Sequence, residues 1–290
     1  MGGGERIPEP KAIFAPGLLA GRSALVTGGG SGIGFGIARC LAEAGGAVAI
    51  ASRNTERLEE AAARLRGAAS DARVISIPVN VREPESIREA VARVAEELGS
   101  LDILVNNAAG NFYCSTEKLS PNGWRAVVET DLYGTFYGCR AAFPIMREQG
   151  YGRIISTSMT LHYRGWPLMA HATAAKAGVD ALTRTLALEW ARHGINVNAV
   201  APGPIPTAGV RRAFSRPSEE LPDLFGERAD ESYAARFIPA GRLGTPEDVG
   251  NLVVYLASPA GDWITGAIFV VDGGESLAGP RGMGGPRGTA

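Results

Sequence analysis

Short apolar runs alternate with helix-patterned stretches along almost the whole of this 290-residue chain, and that alternation restricts the fold more than any other feature. Ser23–Thr27, Ala47–Ser52, Val74–Val79, Asp102–Asn106, Arg153–Ser158, Asn196–Ala201 and Ala267–Val271 read as strands. Between them the spacing predicts a helix from the glycine-rich residues after Thr27 through Ala44. It predicts further helices over Thr55–Arg66, Ser86–Leu98, about Pro121–Tyr137, Thr173–His193 and Pro246–Ala257. Strands and helices in strict alternation build an α/β domain, a doubly wound parallel sheet with helices on both faces. The strands are nearly continuous apolar runs, as expected when both faces of the sheet are covered. No repeat or linker interrupts residues 18–278, which therefore form a single domain. The glycine- and proline-rich stretches 1–17 and 279–290 cannot build a packed core and read as tails. One segment breaks the regularity: Pro206–Arg242 is long, proline-interrupted and rich in charge and aromatics, the character of a lid or substrate loop.

A formal net charge of −1 gives the molecule no field to attract nucleic acid or an acidic membrane, so an anionic ligand must be held by local arginines. Cys40, Cys114 and Cys139 are odd in number and widely spaced. They argue against a disulfide framework or a metal site and suit a reducing, cytoplasmic setting. No run is long and apolar enough to suggest a membrane span, and no secretory apolar segment or peroxisomal Ser-Lys-Leu type ending is seen.

The junction of the first strand and its helix reads Thr-Gly-Gly-Gly-Ser-Gly-Ile-Gly. Gly28, Gly30, Ser31, Gly32, Ile33 and Gly34 are expected to turn tightly, let a pyrophosphate approach the backbone, and rest it on the helix N-terminus. At the end of the second strand an NAD-binding protein would place an acid against the ribose hydroxyl. Arg53, followed by Asn54, stands there and suits a 2′-phosphate, so the expected cofactor is NADP(H). Asn80 and Val81 after the third strand are candidates for the adenine. Asn107 after the fourth is a candidate contact or a structural tie. Pro202, Gly203 and Ile205 after the sixth strand complete the cofactor set.

Together the glycine loop, Asn106-Asn107-Ala108-Ala109-Gly110, the helix carrying Lys176, and Pro202-Gly203-Pro204-Ile205-Pro206-Thr207 resemble the short-chain dehydrogenase/reductase family over about residues 20–275. The resemblance implies a Rossmann-type fold. Three of the four usual catalytic positions depart from the family pattern. The serine position is Met159, the tyrosine position is Ala172 and the helical asparagine position is Asp131; only Lys176 is kept. The 2,4-dienoyl-CoA reductases look like this pattern, through Asn-Asn-Ala-Ala-Gly-Asn-Phe at 106–112, Leu119-Ser120-Pro121-Asn122 and Ala187-Leu188-Glu189-Trp190. The mitochondrial form's tyrosine would fall at Leu161, whereas the peroxisomal form's aspartate and lysine match Asp131 and Lys176.

The resemblance implies NADPH-dependent reduction of a 2,4-dienoyl-CoA thioester to a trans-3-enoyl-CoA, in the oxidation of unsaturated fatty acids. Asp131 and Lys176 would be catalytic and would hold a proton-donating water, with Lys176 also on the cofactor ribose. Burial raises the pKa of Asp131 and Lys176 lowers it; the sequence leaves that balance open. Tyr163 is an alternative proton donor. Arg82, Arg211 and Arg212 are candidates for the CoA phosphates, and Phe112, Ser120 and His171 for the rest of the substrate. Two other functions stay open: an oxidoreductase acting on a 3-oxoacyl or hydroxy substrate, and an NADP-binding regulatory protein with a vacated site. The helices over Pro121–Tyr137 and Thr173–His193 carry more apolar and small residues than one covered face needs, and family members commonly pair these helices, so the expected self-assembly is a homotetramer.

Overall fold

The computed structural model describes residues 13–69, 72–214 and 238–278. Seven strands, β1 (Ser23–Thr27), β2 (Ala47–Ser52), β3 (Val74–Pro78), β4 (Ile103–Asn106), β5 (Gly152–Thr157), β6 (Ile195–Pro202) and β7 (Ile268–Val271), form one sheet in the order β3-β2-β1-β4-β5-β6-β7. Every adjacent pair is parallel. The order reverses between β1 and β4, which opens a crevice beyond the carboxyl ends of the strands, the place where ligands enter sheets of this kind.

The period-2 alternation of the strands sorts the core into two layers. Ala24, Val26, Val48, Ile50, Val105 and Ile155 point to the face covered by α1 (Gly32–Glu43), α2 (Thr55–Ala68) and a late helix over Pro246–Ala257. Leu25, Ala49, Leu104, Ile154 and Val197 point to the opposite face. That face is covered by α3 (Pro84–Leu98) and by the helices over Gly134–Gln149 and Ala170–Trp190. Burying each of the large side chains contributes about 1.5–3 kcal/mol, and Leu25, Ile50 and Leu104 are within 1% of complete burial. The first helix and the late one pack closely because Gly36 has no side chain: a Cβ there would lie 2.3 Å from that of Pro246.

The helix expected over Pro121–Tyr137 is longer and is not regular. It begins as α4 (Pro121–Val128), widens into a π-helical turn over Glu129–Tyr133, and continues as α5 (Gly134–Gln149). Pro144 lies inside α5 on its exposed side. There water can satisfy the carbonyl left without a donor. The π turn carries Asp131 into the interior, and such turns frequently occur at functional sites. The sixth helix, α6 (Ala170–Trp190), starts a turn earlier than the sequence suggested, so His171 lies in its first turn. A short α7 (Ala208–Phe214) and then α8 (Pro246–Ala257) complete the α-helices among the described residues. Phe14, within the stretch read as an N-terminal tail, packs against the first core layer. Residues 1–12, 279–290 and the greater part of the expected substrate loop, 215–237, lie outside the described residues.

Candidate active site

A cavity of about 870 Å³ runs along the carboxyl ends of the strands. Its first half is made largely of backbone. Gly28, Gly30, Ser31, Gly32, Ile33 and Gly34 line it at the start of α1. Gly28 has φ +68°, and a Cβ added there would meet the Asn107 side chain at 2.9 Å. At Gly34 an added Cβ would lie 2.4 Å from both that amide and the Gly28 carbonyl oxygen. Thr27 knots β1 to β4: its hydroxyl donates to the Val105 carbonyl and accepts from the Asn107 and Ala108 backbone N–H groups. This glycine cradle beneath a helix N-terminus fits the pyrophosphate of a dinucleotide. Arg53, Asn54 and Arg57 line the next stretch, with Val81, Asn107, Pro202, Gly203 and Ile205 further along. Both arginines are exposed, an arrangement that fits a phosphate on the ribose.

The second half is made of side chains. Lys176 on α6 is 4% exposed and donates through Nζ to the Thr157 carbonyl at 2.6 Å. Asp131 on the π turn is 2% exposed; one carboxylate oxygen accepts from the Gly110 N–H at 2.8 Å and the other lies 3.6 Å from Lys176 Nζ. Burial pushes the Asp131 carboxyl above the usual carboxylate range, and the Lys176 charge and the Gly110 N–H offset only part of that rise. Asn111, Tyr113, Met159, Leu161, Trp166 and Met169 wall this end of the cavity. Beneath them lies a small apolar cluster of Val127, Met169 and Ala172, against which Phe112, Tyr113, Met159, Leu161 and Trp166 pack.

Several residues expected at a ligand are engaged elsewhere and do not line the cavity. Asn80 reaches to Glu83 at 2.6 Å, while its N–H donates to Ser86 at the start of α3. The side chain of Arg82 is paired with Glu129. Ser120 caps α4, accepting from the Gly123 N–H at 3.1 Å. His171 is wholly buried, edge-on to Phe112 with 4.5 Å between ring centroids, and burial lowers its pKa. Phe112 supports the wall from behind. Arg211 is exposed on α7 and Val210 beside it lines the cavity; Arg212 belongs to the same helix, and its side chain lies outside the described residues. Asn54 lines the cavity, but its side chain caps α2 by accepting from the Arg57 N–H. Tyr163 is 47% exposed and turns toward Asp180, with its phenol pushed up to about 12 by burial and by that carboxylate.

Sequence reasoning passed over Arg57, Tyr113, Trp166 and Glu275, all of which line the cavity. Arg57 had a signal, since it stands one helical turn beyond Arg53. The others are brought in by loops whose paths no local pattern sets.

A family model described as Enoyl-(Acyl carrier protein) reductase matches residues 28–276. The chain is 42% identical over 266 residues to a Danio rerio protein named peroxisomal 2,4-dienoyl-CoA reductase, (3E)-enoyl-CoA-producing, with 91% of this chain and 85% of that one covered. A Pongo abelii protein of the same name is 41% identical over 281 residues, covering 96% and 92%. Among solved structures, a short-chain type dehydrogenase/reductase from Mycobacterium marinum superposes with a TM-score of 0.78 at 34% identity, covering 89% of this chain and 96% of that one. None of the described helices is long and apolar enough to cross a membrane.

Proposed function

Because this chain belongs to the short-chain dehydrogenase/reductase family and is an oxidoreductase of it, we propose that it reduces 2,4-dienoyl-CoA thioesters to trans-3-enoyl-CoA with NADPH, in the oxidation of unsaturated fatty acids. The observation that carries the proposal is the buried Asp131–Lys176 pair in a cavity that has Met159 in its wall and Ala172 beneath it. A site built to reduce a ketone must protonate an alkoxide and needs an acid at the reacting oxygen. A dienolate is delocalised and less basic, so a held water can supply its proton.

Gly28, Gly32 and Gly34 would hold the pyrophosphate, Arg53 and Arg57 the 2′-phosphate, and Lys176 the nicotinamide ribose. When bound, the nicotinamide supplies a hydride. The Thr157 carbonyl holds the Lys176 ammonium, and the Gly110 N–H holds one oxygen of Asp131. Asp131 Oδ2 and Lys176 Nζ then face each other across 3.6 Å, a spacing from which both can hold one water. That water protonates the substrate α-carbon, while the Lys176 charge stabilises the developing oxyanion. Tyr163, turned to Asp180, does not line the cavity, which disfavours it as the acid.

The assembly is a homotetramer in this proposal. Tyr133 and Phe136 on the π turn and α5 and Leu188 on α6 are large and apolar and lie exposed at 48%, 43% and 87%. We place the protein in the cytoplasm; Cys40, Cys114 and Cys139 are free, in keeping with a reducing compartment. Oxidation of NADPH with 2,4-hexadienoyl-CoA, beside crotonyl-CoA and acetoacetyl-CoA, tests the activity. Turnover of the dienoyl thioester above the other two is expected. Faster turnover of acetoacetyl-CoA would favour a 3-oxoacyl substrate, and tight NADPH binding without turnover would favour a regulatory protein.

A further inference from the structure

The family's serine and tyrosine positions hold Met159 and Ala172, and neither brings a hydroxyl to the reacting end of the cavity. Two hydroxyls nearby serve β5 and its neighbours. Thr157 donates to the Asn107 side chain at 3.4 Å, and Ser158 donates to Asp180 at 2.5 Å. A phenol arrives from a different element. Tyr113, on the loop after β4, lines the cavity and packs on the same small cluster that contains Ala172.

Its loop is tied on both sides. Three residues before Tyr113, the Gly110 N–H is bonded to Asp131; immediately after it, the Cys114 N–H donates to the Leu168 carbonyl at 3.0 Å. Asn111 reaches Met169 Sδ at 3.4 Å. Leu168 has φ +65°, a left-handed conformation that is strained for a leucine and survives only where the surroundings enforce it. The loop carrying Tyr113 is thus clamped between the Asp131 turn and the segment leading into α6. Burial raises the Tyr113 pKa, with the Trp166 indole offsetting part of the rise, so the hydroxyl keeps its proton at neutral pH.

We propose that Tyr113 is a further catalytic residue whose hydroxyl donates a hydrogen bond to the thioester carbonyl oxygen as negative charge develops there. The proposal rests on the dienoyl-CoA reductase function above. Hydride adds to C5 of the substrate, the electrons of the C4=C5 and C2=C3 bonds each move one bond toward the thioester, and the carbonyl pair comes to rest on oxygen. Tyr113 holds that oxygen without giving up its proton. When C2 takes a proton from the water, and a proton from solution neutralises the hydroxide left behind, the carbonyl re-forms and the remaining double bond lies between C3 and C4. Donors aimed at a developing oxyanion act in the transition state more than in the ground state, so their loss falls on kcat more than on KM.

Tyr113→Phe removes one oxygen and keeps the ring packed. The expected result is a fall in kcat on 2,4-hexadienoyl-CoA of about 10- to 100-fold, the scale of one hydrogen bond to a charged acceptor. NADPH affinity and thermal stability are expected to stay at parental values. A second readout avoids turnover. With NADP⁺ in place of NADPH, the absorption band of bound 2,4-hexadienoyl-CoA should be red-shifted in the parent by a donor on its carbonyl, and Tyr113→Phe should return it toward the free position. Parental kcat in the variant overturns the assignment, as does a kcat loss with the band unmoved, which would make Tyr113 a packing residue. A parent that neither binds nor reduces the dienoyl thioester overturns the function itself, and this inference with it.

Discussion

The two halves of the cavity are built on different principles. Around β1 and α1 the contacts are main chain: glycines at 28, 32 and 34, a helix N-terminus, and Thr27 tying β1 to β4. Around β4, β5 and α6 they are side chains: a buried carboxylate and ammonium 3.6 Å apart, walled by Met159, Trp166 and Tyr113. A main-chain site follows from backbone conformation, which a glycine pattern announces. A side-chain site depends on which elements meet, and a single buried charge depends on one partner. Changes in the second half should therefore act on chemistry, and changes in the first on cofactor choice.

The change that should do the most damage is Lys176→Ala, because the proposal gives this residue both the cofactor ribose and the proton-donating water. It should lower kcat by about 10²–10⁴-fold, the range of general acid–base groups, and also weaken NADPH binding measured by fluorescence titration. Loss of kcat with full NADPH affinity would confine Lys176 to the substrate half. Arg53→Ala should act on the cofactor half alone. A charge-assisted contact is worth about 1.5–3 kcal/mol, so the preference of the parent for NADPH over NADH should be roughly ten- to hundredfold and should largely vanish in the variant. Equal kcat/KM for the two cofactors in the parent would show that Arg53 does not select a 2′-phosphate. Retention of half the preference would point to Arg57, which lines the same stretch.

The smallest effect expected is on stability. The folded pKa of Asp131 is raised above its unfolded value, chiefly by burial. Its contribution is therefore fully present below the ordinary aspartate pKa of about 3.9 and is lost as pH rises through the raised value. The melting temperature of the parent should fall relative to Asp131→Asn across that window. A gap between the two that does not change with pH would mean that the carboxyl is not perturbed.

The same division explains what the sequence revealed. Strand alternation was enough for a parallel sheet covered on both faces, and the Thr-Gly-x-x-x-Gly-x-Gly loop for a glycine turn at the start of α1, because each rests on a local period or a local backbone need. Asp131 and Lys176 were legible as a pair only through the resemblance, since 45 positions of chain separate them and a π turn sets the direction of the first. Ser120, Asn80 and Arg82 looked available for ligand but serve a helix cap, a helix-start turn and an ion pair. Of these, Ser120 followed by Pro121 carried a helix-start signal that outweighed its ligand interpretation. His171 went to the core because its place in the first turn of α6 faces inward, beside Phe112. Tyr113 had no local signal, because its place depends on a loop clamped by Gly110 and Leu168.

In the proposed reaction Asp131 organises proton delivery to a dienoyl thioester. The most direct test of this role is stopped-flow NADPH oxidation with 2,4-hexadienoyl-CoA for the parent, Asp131→Ala and Tyr163→Phe, with NADPH affinity and a thermal melt for each. The expected result is an active parent, an Asp131→Ala enzyme that is folded and binds NADPH but is slowed by about 10²–10⁴-fold in kcat, and a Tyr163→Phe enzyme within a few-fold of the parent. A folded, NADPH-binding Asp131→Ala enzyme with near-parental kcat would contradict the account, and the opposite ranking of the two variants would assign the proton to Tyr163.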